Sequence, residues 1–203
     1  MKIEADRGME PSRTPENTSG PARILDVGCG DGDSLLDAGA CGCKLVVGAD
    51  ISLQSVLAAR AKLPSAHFVV ARGEALPFKD NAFDHLICRV ALVLMPIAPA
   101  LDEMHRVCRP GAVLTLSVHD LRFALFDLRR RLFPPRLKTI AGRLWVLVNG
   151  MIFILTGRNV KMPFTRPDHG WETWQTRGSM RRALKRAGFG PPKIPFAVYS
   201  RRS

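Results

Sequence analysis

From residue 23 to residue 118 the chain alternates short apolar runs with stretches of helical period. The runs at 23–27, 44–49, 66–71, 84–89 and 112–118 have the unbroken apolar character of strands buried on both faces. Ser52 offers an N-cap oxygen to a helix whose Leu53, Val56 and Leu57 share a face, and Pro64 ends it. A second helix over 99–108 sets Leu101, Met104 and Cys108 in one stripe before Arg109-Pro110-Gly111 breaks it and turns into the next strand. This rhythm predicts an α/β fold, a Rossmann-like doubly wound and mostly parallel sheet.

Outside that span the pattern changes. Residues 1–21 are rich in Pro, Ser, Thr, Gly and charge, carry no apolar period, and are expected to form a mobile tail ahead of one domain at 22–203. After the fifth predicted strand, residues 121–164 form an insert of helical period, expected to cover a pocket as a lid. In it Leu121, Leu125, Leu128 and Leu132 recur on one stripe, with Arg122, Arg129, Arg130 and Arg131 on other faces. Such a helix either docks on the core or lies in a membrane interface. The apolar run at 144–156 is too short to span a bilayer, which takes about 20 residues.

Charge separates the same two regions. Residues 1–120 hold 12 Lys/Arg against 15 Asp/Glu, whereas 121–203 hold 18 against 3. The basic end points to an anionic partner or to a solvated basic face. The five cysteines are odd in number and scattered, and the first 20 residues lack an apolar signal stretch, so a cytoplasmic location is expected. Cys41 and Cys43 lack zinc-ligand spacing, and no metal is expected.

The most informative segment runs from Arg23 to Asp33, where an apolar strand leads into Gly28, Gly30 and Gly32 and then a helix start. At the carboxyl edge of a parallel sheet such a turn lets backbone approach a ligand closely. A dinucleotide fingerprint needs a third glycine where Asp33 stands, and Asp33 would repel a pyrophosphate. Asp26 and Asp31 add negative charge, which favours a cationic ligand, and S-adenosylmethionine, with a sulfonium, an ammonium and no phosphate, fits. Asp50, 18 residues after Gly32, stands where an acidic side chain reaches ribose hydroxyls in this kind of fold.

Four blocks in order, Ile24 to Gly32, Gly48 to Ser52, Gly73 to Phe78 with Phe83-Asp84, and Arg106 to Gly111, closely resemble the class I S-adenosylmethionine-dependent methyltransferases, in particular the type 11 or ubiquinone-biosynthesis-like group. The resemblance implies that Gly28, Gly30 and Gly32 line the methionine part, that Asp26 lies beside its amino group and that Asp50 holds the ribose. It also implies Ile51 against the adenine, Gly73 and Glu74 at the adenine edge, and Cys88 at a strand end facing the cofactor. Arg72 stands where the family often has an acidic residue for the adenine amino group, and Val93 and Leu94 replace a frequent histidine pair. Only residues 190–203 remain for the terminal antiparallel strands usual in the family, so one of the two is expected to be abbreviated or absent.

Methyl transfer from a sulfonium is an in-line displacement in which alignment and exclusion of water matter most, and a base is needed only for an acceptor that keeps its proton at neutral pH. The candidates for one are His119 and Asp120 after the fifth strand and His169 and Glu172 in a later loop, whereas His85 and His105 look structural. The expected function is methyl transfer to a small lipophilic acceptor, with peripheral contact to an anionic membrane through the insert. Two alternatives stand beside it: a nucleic-acid methyltransferase using the basic end, disfavoured because residues 88–96 lack the motifs of base methylation, and a non-catalytic cofactor-binding scaffold.

Overall fold

The computed structural model describes residues 22–37, 43–130, 137–163, 165, 170–190 and 197–199. The predicted tail, Cys41, Leu132 and His169 lie outside them.

Strands β1 (Arg23–Val27), β2 (Leu45–Asp50), β3 (His67–Val70), β4 (Phe83–Arg89), β5 (Cys108–His119) and β6 (Ala197–Tyr199) form one sheet in the order β3-β2-β1-β4-β5-β6, with every neighbouring pair parallel. Alternation along the central strands fills both faces. Leu25 and Val27 of β1 and Leu86 and Cys88 of β4 join one core with Leu101, Met104 and Met180, while Ile24 and Ile87 turn to the other with Leu35, Val56 and Phe68. Because side chains alternate with a period of two, such strands read as continuous apolar runs.

Helices α1 (Asp33–Asp37), α2 (Leu53–Lys62) and α3 (Ile97–Val107) connect the strands. Ser52 caps α2 as expected, its hydroxyl accepting from Ser55 N at 3.2 Å. Glu103 and Arg106 of α3 clamp the turn after β3: Arg106 donates to the carbonyls of Leu76 and Phe78, and Glu103 accepts from Leu76 N at 2.9 Å. Leu76 is buried and Phe78 packs edge-on against Phe83, centroids 5.0 Å apart.

Two expectations are corrected, and of the two placements left open for the first helix of the insert, docking on the core is not the one the structure shows. The Arg109-Pro110-Gly111 break falls inside β5, which starts at Cys108, and the sheet absorbs it through a register shift against β4 between Phe83 and His85. The terminal strand among the described residues is parallel: α6 (Arg177–Arg186) packs on α3, and a crossover on that face returns the chain in the direction of β5. In the insert, α4 (Leu121–Arg130) does not dock its leucine stripe on the core. Ala124 is its buried residue, while Leu121 and Leu125 are exposed.

Helix α5 (Leu137–Thr156) packs beside α4. It buries Asn149, Gly150 and Phe153 and leaves Leu144, Val148, Met151 and Leu155 exposed. Among the described residues no helix is long and apolar enough to cross a membrane.

Candidate functional site

Strand order reverses between β1 and β4, the place where open parallel sheets bind ligands at the carboxyl ends of their strands. The turn after β1 is built there from backbone. Gly28 N and Cys29 N both donate to Ala49 O, at 2.7 and 3.1 Å, and Gly32 N donates to Cys29 O at 2.9 Å. Gly28 has φ +76, and a Cβ on it would fall 2.1 Å from the Cβ of Ala91. Gly30 has φ +54, yet a Cβ there would meet no atom within 4 Å. The first glycine is thus required by the protein itself, whereas the second leaves open space over the turn.

Asp50 ends β2 beside this turn. Its Oδ2 accepts from Gly30 N at 3.0 Å and its Oδ1 from Ser52 N at 2.8 Å. One lone pair on each oxygen remains, enough for two vicinal hydroxyls.

Asp26 is fully buried, and neither carboxyl oxygen has a hydrogen-bond partner of ordinary geometry. Burial raises its pKa to about 7, with the charge of Asp50 adding to the effect and Arg89 and the Ser34 hydroxyl opposing it. A buried carboxyl without full hydrogen bonding is costly, and a cation beside it would restore the charged form. Asp31 and Asp33 instead both pair with Lys62, Asp31 at 3.0 Å. Lys62 therefore offsets one of their two charges, and the negative charge at the turn is one less than the carboxylates alone suggest.

A cleft of about 350 Å³ opens from Gly28 past Asp50 and Ile51 to Gly73 and Glu74. Arg72 is held by Glu74 at 2.7 Å. The opposite wall comes from the turn after β4 (Ala91, Leu94, Met95 and Pro96) and from Trp171 and Glu172 beyond the insert. That turn starts from Val90 at φ 64, a strained conformation for a β-branched residue, which brings Ala91 under Gly28. Cys88 does not reach the cleft. It is fully buried in the main core next to Asp26, and burial holds its thiol protonated.

The base candidates part company. Asp120 accepts from Phe123 N at 2.8 Å and so caps α4. His119 stacks on Phe123, with centroids 3.7 Å apart and planes at 5°, and burial lowers its pKa. Glu172 lines the cleft. His85 is buried against Thr115 Oγ1 at 2.8 Å with its pKa pushed down to about 4, a neutral core histidine, and His105 packs edge-on against Phe189. A larger cavity of about 530 Å³ lies at the amino end of β5, by His105, Arg109 and Phe189, and holds none of the predicted site residues.

Sequence reasoning missed Trp171 and the turn from Ala91 to Pro96. The signal was weak: an aromatic residue beside Glu172, and an apolar stretch after the fourth strand.

Residues 25–116 match the family model described as methyltransferase domain. The chain is 36% identical over 101 residues to a malonyl-[acyl-carrier protein] O-methyltransferase of Pseudescherichia vulneris, a match covering 48% of this chain and 39% of that protein. It is 37% identical over 100 residues to a demethylmenaquinone methyltransferase of Renibacterium salmoninarum, covering 47% of this chain and 40% of the relative. The chain spans less than two thirds of the length of these curated relatives. Among solved structures, a SAM-dependent methyltransferase from Thermotoga maritima superposes with a TM-score of 0.55 at 16% identity, covering 85% of this chain and 66% of that one, a likeness of fold.

Proposed function

Residues 25–116 belong to the methyltransferase domain family, and on that premise we propose that the protein transfers a methyl group from S-adenosylmethionine to a small lipophilic acceptor. The observation that carries the cofactor is the buried carboxyl of Asp26, which burial destabilises in its charged form, beside a turn stripped of side chains. The residues fit the group: Asp26 would take its ammonium, Asp50 its ribose hydroxyls, and Ile51, Gly73 and Glu74 its adenine. Bound there, it supplies an electrophilic methyl on a sulfonium. The chain's own part is to hold the donor and exclude water with the wall of Leu94, Met95 and Trp171, since alignment can supply roughly 7–11 kcal/mol. His119 and Glu172 are the groups left to accept a proton where the acceptor carries one.

The insert supports a lipophilic acceptor met at an anionic membrane. Leu144, Val148, Met151 and Leu155 recur along one exposed face of α5, and Leu155 is 78% exposed. Arg182 donates to Ile154 O and Arg186 to Thr156 O, which gathers positive charge at the carboxyl end of that helix. An exposed aliphatic stripe beside guanidinium groups suits a lipid interface better than a single-stranded nucleic-acid surface, which stacks bases on aromatic side chains.

Labelled S-adenosylmethionine offered with separate lipid, small-metabolite and RNA fractions tests the reading. Label in the lipid or small-metabolite fraction supports it, and label in RNA replaces it with the nucleic-acid alternative. Calorimetry showing no heat with S-adenosylmethionine but binding of a dinucleotide would overturn the cofactor itself.

A further inference from the structure

Beyond Asp50 the cleft ends at a turn that presents an arginine and a glutamate side by side. Ala71 N donates to Asp50 O at 2.9 Å, so the chain leaving β3 starts this turn directly beside the carboxylate assigned to the ribose. Ala75 N then donates to Arg72 O at 3.1 Å, and the two residues form an isolated antiparallel bridge that closes the turn. Between the side chains of Arg72 and Glu74, Gly73 meets the opposite wall so tightly that a Cβ on it would fall 2.3 Å from Met95 Sδ. That wall is itself held in place. Buried Asn159 donates from Nδ2 to Met95 O at 2.8 Å and to Trp171 O at 3.1 Å, and buried Asn149 on α5 donates to Trp171 O at 3.2 Å. Buried amides with their hydrogen bonds made specify one arrangement, because breaking any of them strands a polar group.

Arg72 and Glu74 both line the cleft, and Arg72 Nε donates to Glu74 Oε1 at 2.7 Å. Among the described residues neither side chain has another polar partner, which leaves the terminal N–H groups of Arg72 and Oε2 of Glu74 free. Their charges cancel, so this end of the cleft offers directional hydrogen bonds without net charge, as an uncharged base requires. Adenine presents an amino donor at position 6 beside ring nitrogens that accept. An arginine alone is the wrong reader for that edge, since it only donates and pairs best with a base that carries a carbonyl at position 6. Glu74 supplies the missing acceptor from the same turn.

We infer that Arg72 and Glu74 read the base of the cofactor as a unit, Glu74 Oε2 accepting from the 6-amino group and Arg72 donating to a ring nitrogen next to it. Base specificity then belongs to the ion pair, where the family often relies on one acidic residue at the position of Arg72. The inference rests on the S-adenosylmethionine reading above and concerns the specificity of the same site.

Calorimetry on the full chain tests it, with S-adenosylhomocysteine, its inosine counterpart S-inosylhomocysteine, and the 1-deaza and 7-deaza forms of the adenosyl ligand. The unaltered protein is expected to bind the adenosyl ligand about five- to a hundredfold tighter than the inosyl one, the discrimination that a two-point contact to a base gives. Glu74→Ala leaves Arg72 alone and should reverse the preference, so that the inosyl ligand binds tighter. Removing N1 or N7 should weaken binding about three- to tenfold, and the analogue that does so identifies the nitrogen Arg72 reaches. In Arg72→Met that loss should shrink to less than about twofold. Each result compares ligands on one protein, so a change in the folded fraction of a variant does not imitate it. Equal binding of adenosyl and inosyl ligands by the unaltered chain, an unchanged preference in Glu74→Ala, no loss with either deaza analogue, or a loss that persists in Arg72→Met would overturn the inference. Should S-adenosylhomocysteine itself fail to bind, the cofactor reading falls and takes the inference with it; should it bind with flat ratios, the inference falls alone.

Discussion

The amide of Gly30 donates to Oδ2 of Asp50 at 3.0 Å, so one carboxylate ties the glycine turn to the end of β2 while keeping lone pairs free for a ligand. Asp50→Ala should lose both roles. Calorimetry should show affinity for S-adenosylmethionine falling about ten- to a hundredfold, for two hydrogen bonds to a charged group, and unfolding should report about 1–2 kcal/mol of lost stability from the freed amides of Gly30 and Ser52. A variant with intact cofactor affinity would remove Asp50 from the site.

Gly28 and Gly30 separate what the fold needs from what the ligand needs. Gly28→Ala drives a Cβ into Ala91 and should lower the unfolding temperature sharply, because backbone and core have to shift. Gly30→Ala meets nothing within 4 Å, so its cost to the fold should be only the left-handed strain of an alanine, about 1–2 kcal/mol. Its effect on cofactor binding should be far larger if the ligand lies over the turn. A Gly30→Ala protein that binds S-adenosylmethionine normally would place the ligand elsewhere.

Asp26 couples binding to pH. Its pKa rises from 3.8 to about 7 on folding because the group is buried. The folded protein then holds a proton that the unfolded chain has released, and this contribution to stability is complete below about pH 4 and lost as pH rises through about 7. An ammonium seated beside Asp26 favours the carboxylate. Cofactor affinity should therefore increase up to about pH 7, and binding below it should release a proton, visible as a dependence of calorimetric heat on the buffer's ionisation enthalpy. Asp26→Asn should abolish both the proton release and this component of the stability profile. Binding heats that ignore the buffer at pH 6 would contradict the assignment.

The same site shows where local pattern suffices as a guide and where it fails. Arg23–Val27 was legible because an apolar run between polar residues and a glycine turn has few other structures open to it, and Ser52 because an N-cap acts within three residues of itself. Lys62 was not: its ion pairs with Asp31 and Asp33 join residues 31 and 29 positions apart, so the turn looked more negative in sequence than it is in space. Asn149 and Asn159 were invisible for the same reason, since their partners lie as far as 64 residues away and nothing local marks an asparagine as buried. On α4 the leucine stripe was real but the inference of a docked face was open, and the structure buries small Ala124 instead.

The exposed face of α5 carries the last expectation. Met151 and Leu155 are 50% and 78% exposed, so replacing either with glutamate leaves the packing of Phe153 and Asn149 untouched and should change the unfolding temperature little. Each should nevertheless weaken binding to vesicles containing anionic lipid. Burying an aliphatic side chain is worth about 1.5–3 kcal/mol, and the new carboxylate would be repelled by anionic lipid, to which each basic residue close to the surface contributes about 1 kcal/mol of attraction. Raising salt should weaken the unaltered protein's binding without abolishing it, since apolar insertion is not screened. Flotation that shows no preference for anionic over neutral vesicles, or Leu155→Glu floating as well as the unaltered chain, would detach the lipophilic acceptor from the membrane and leave the stripe as a face for some other contact.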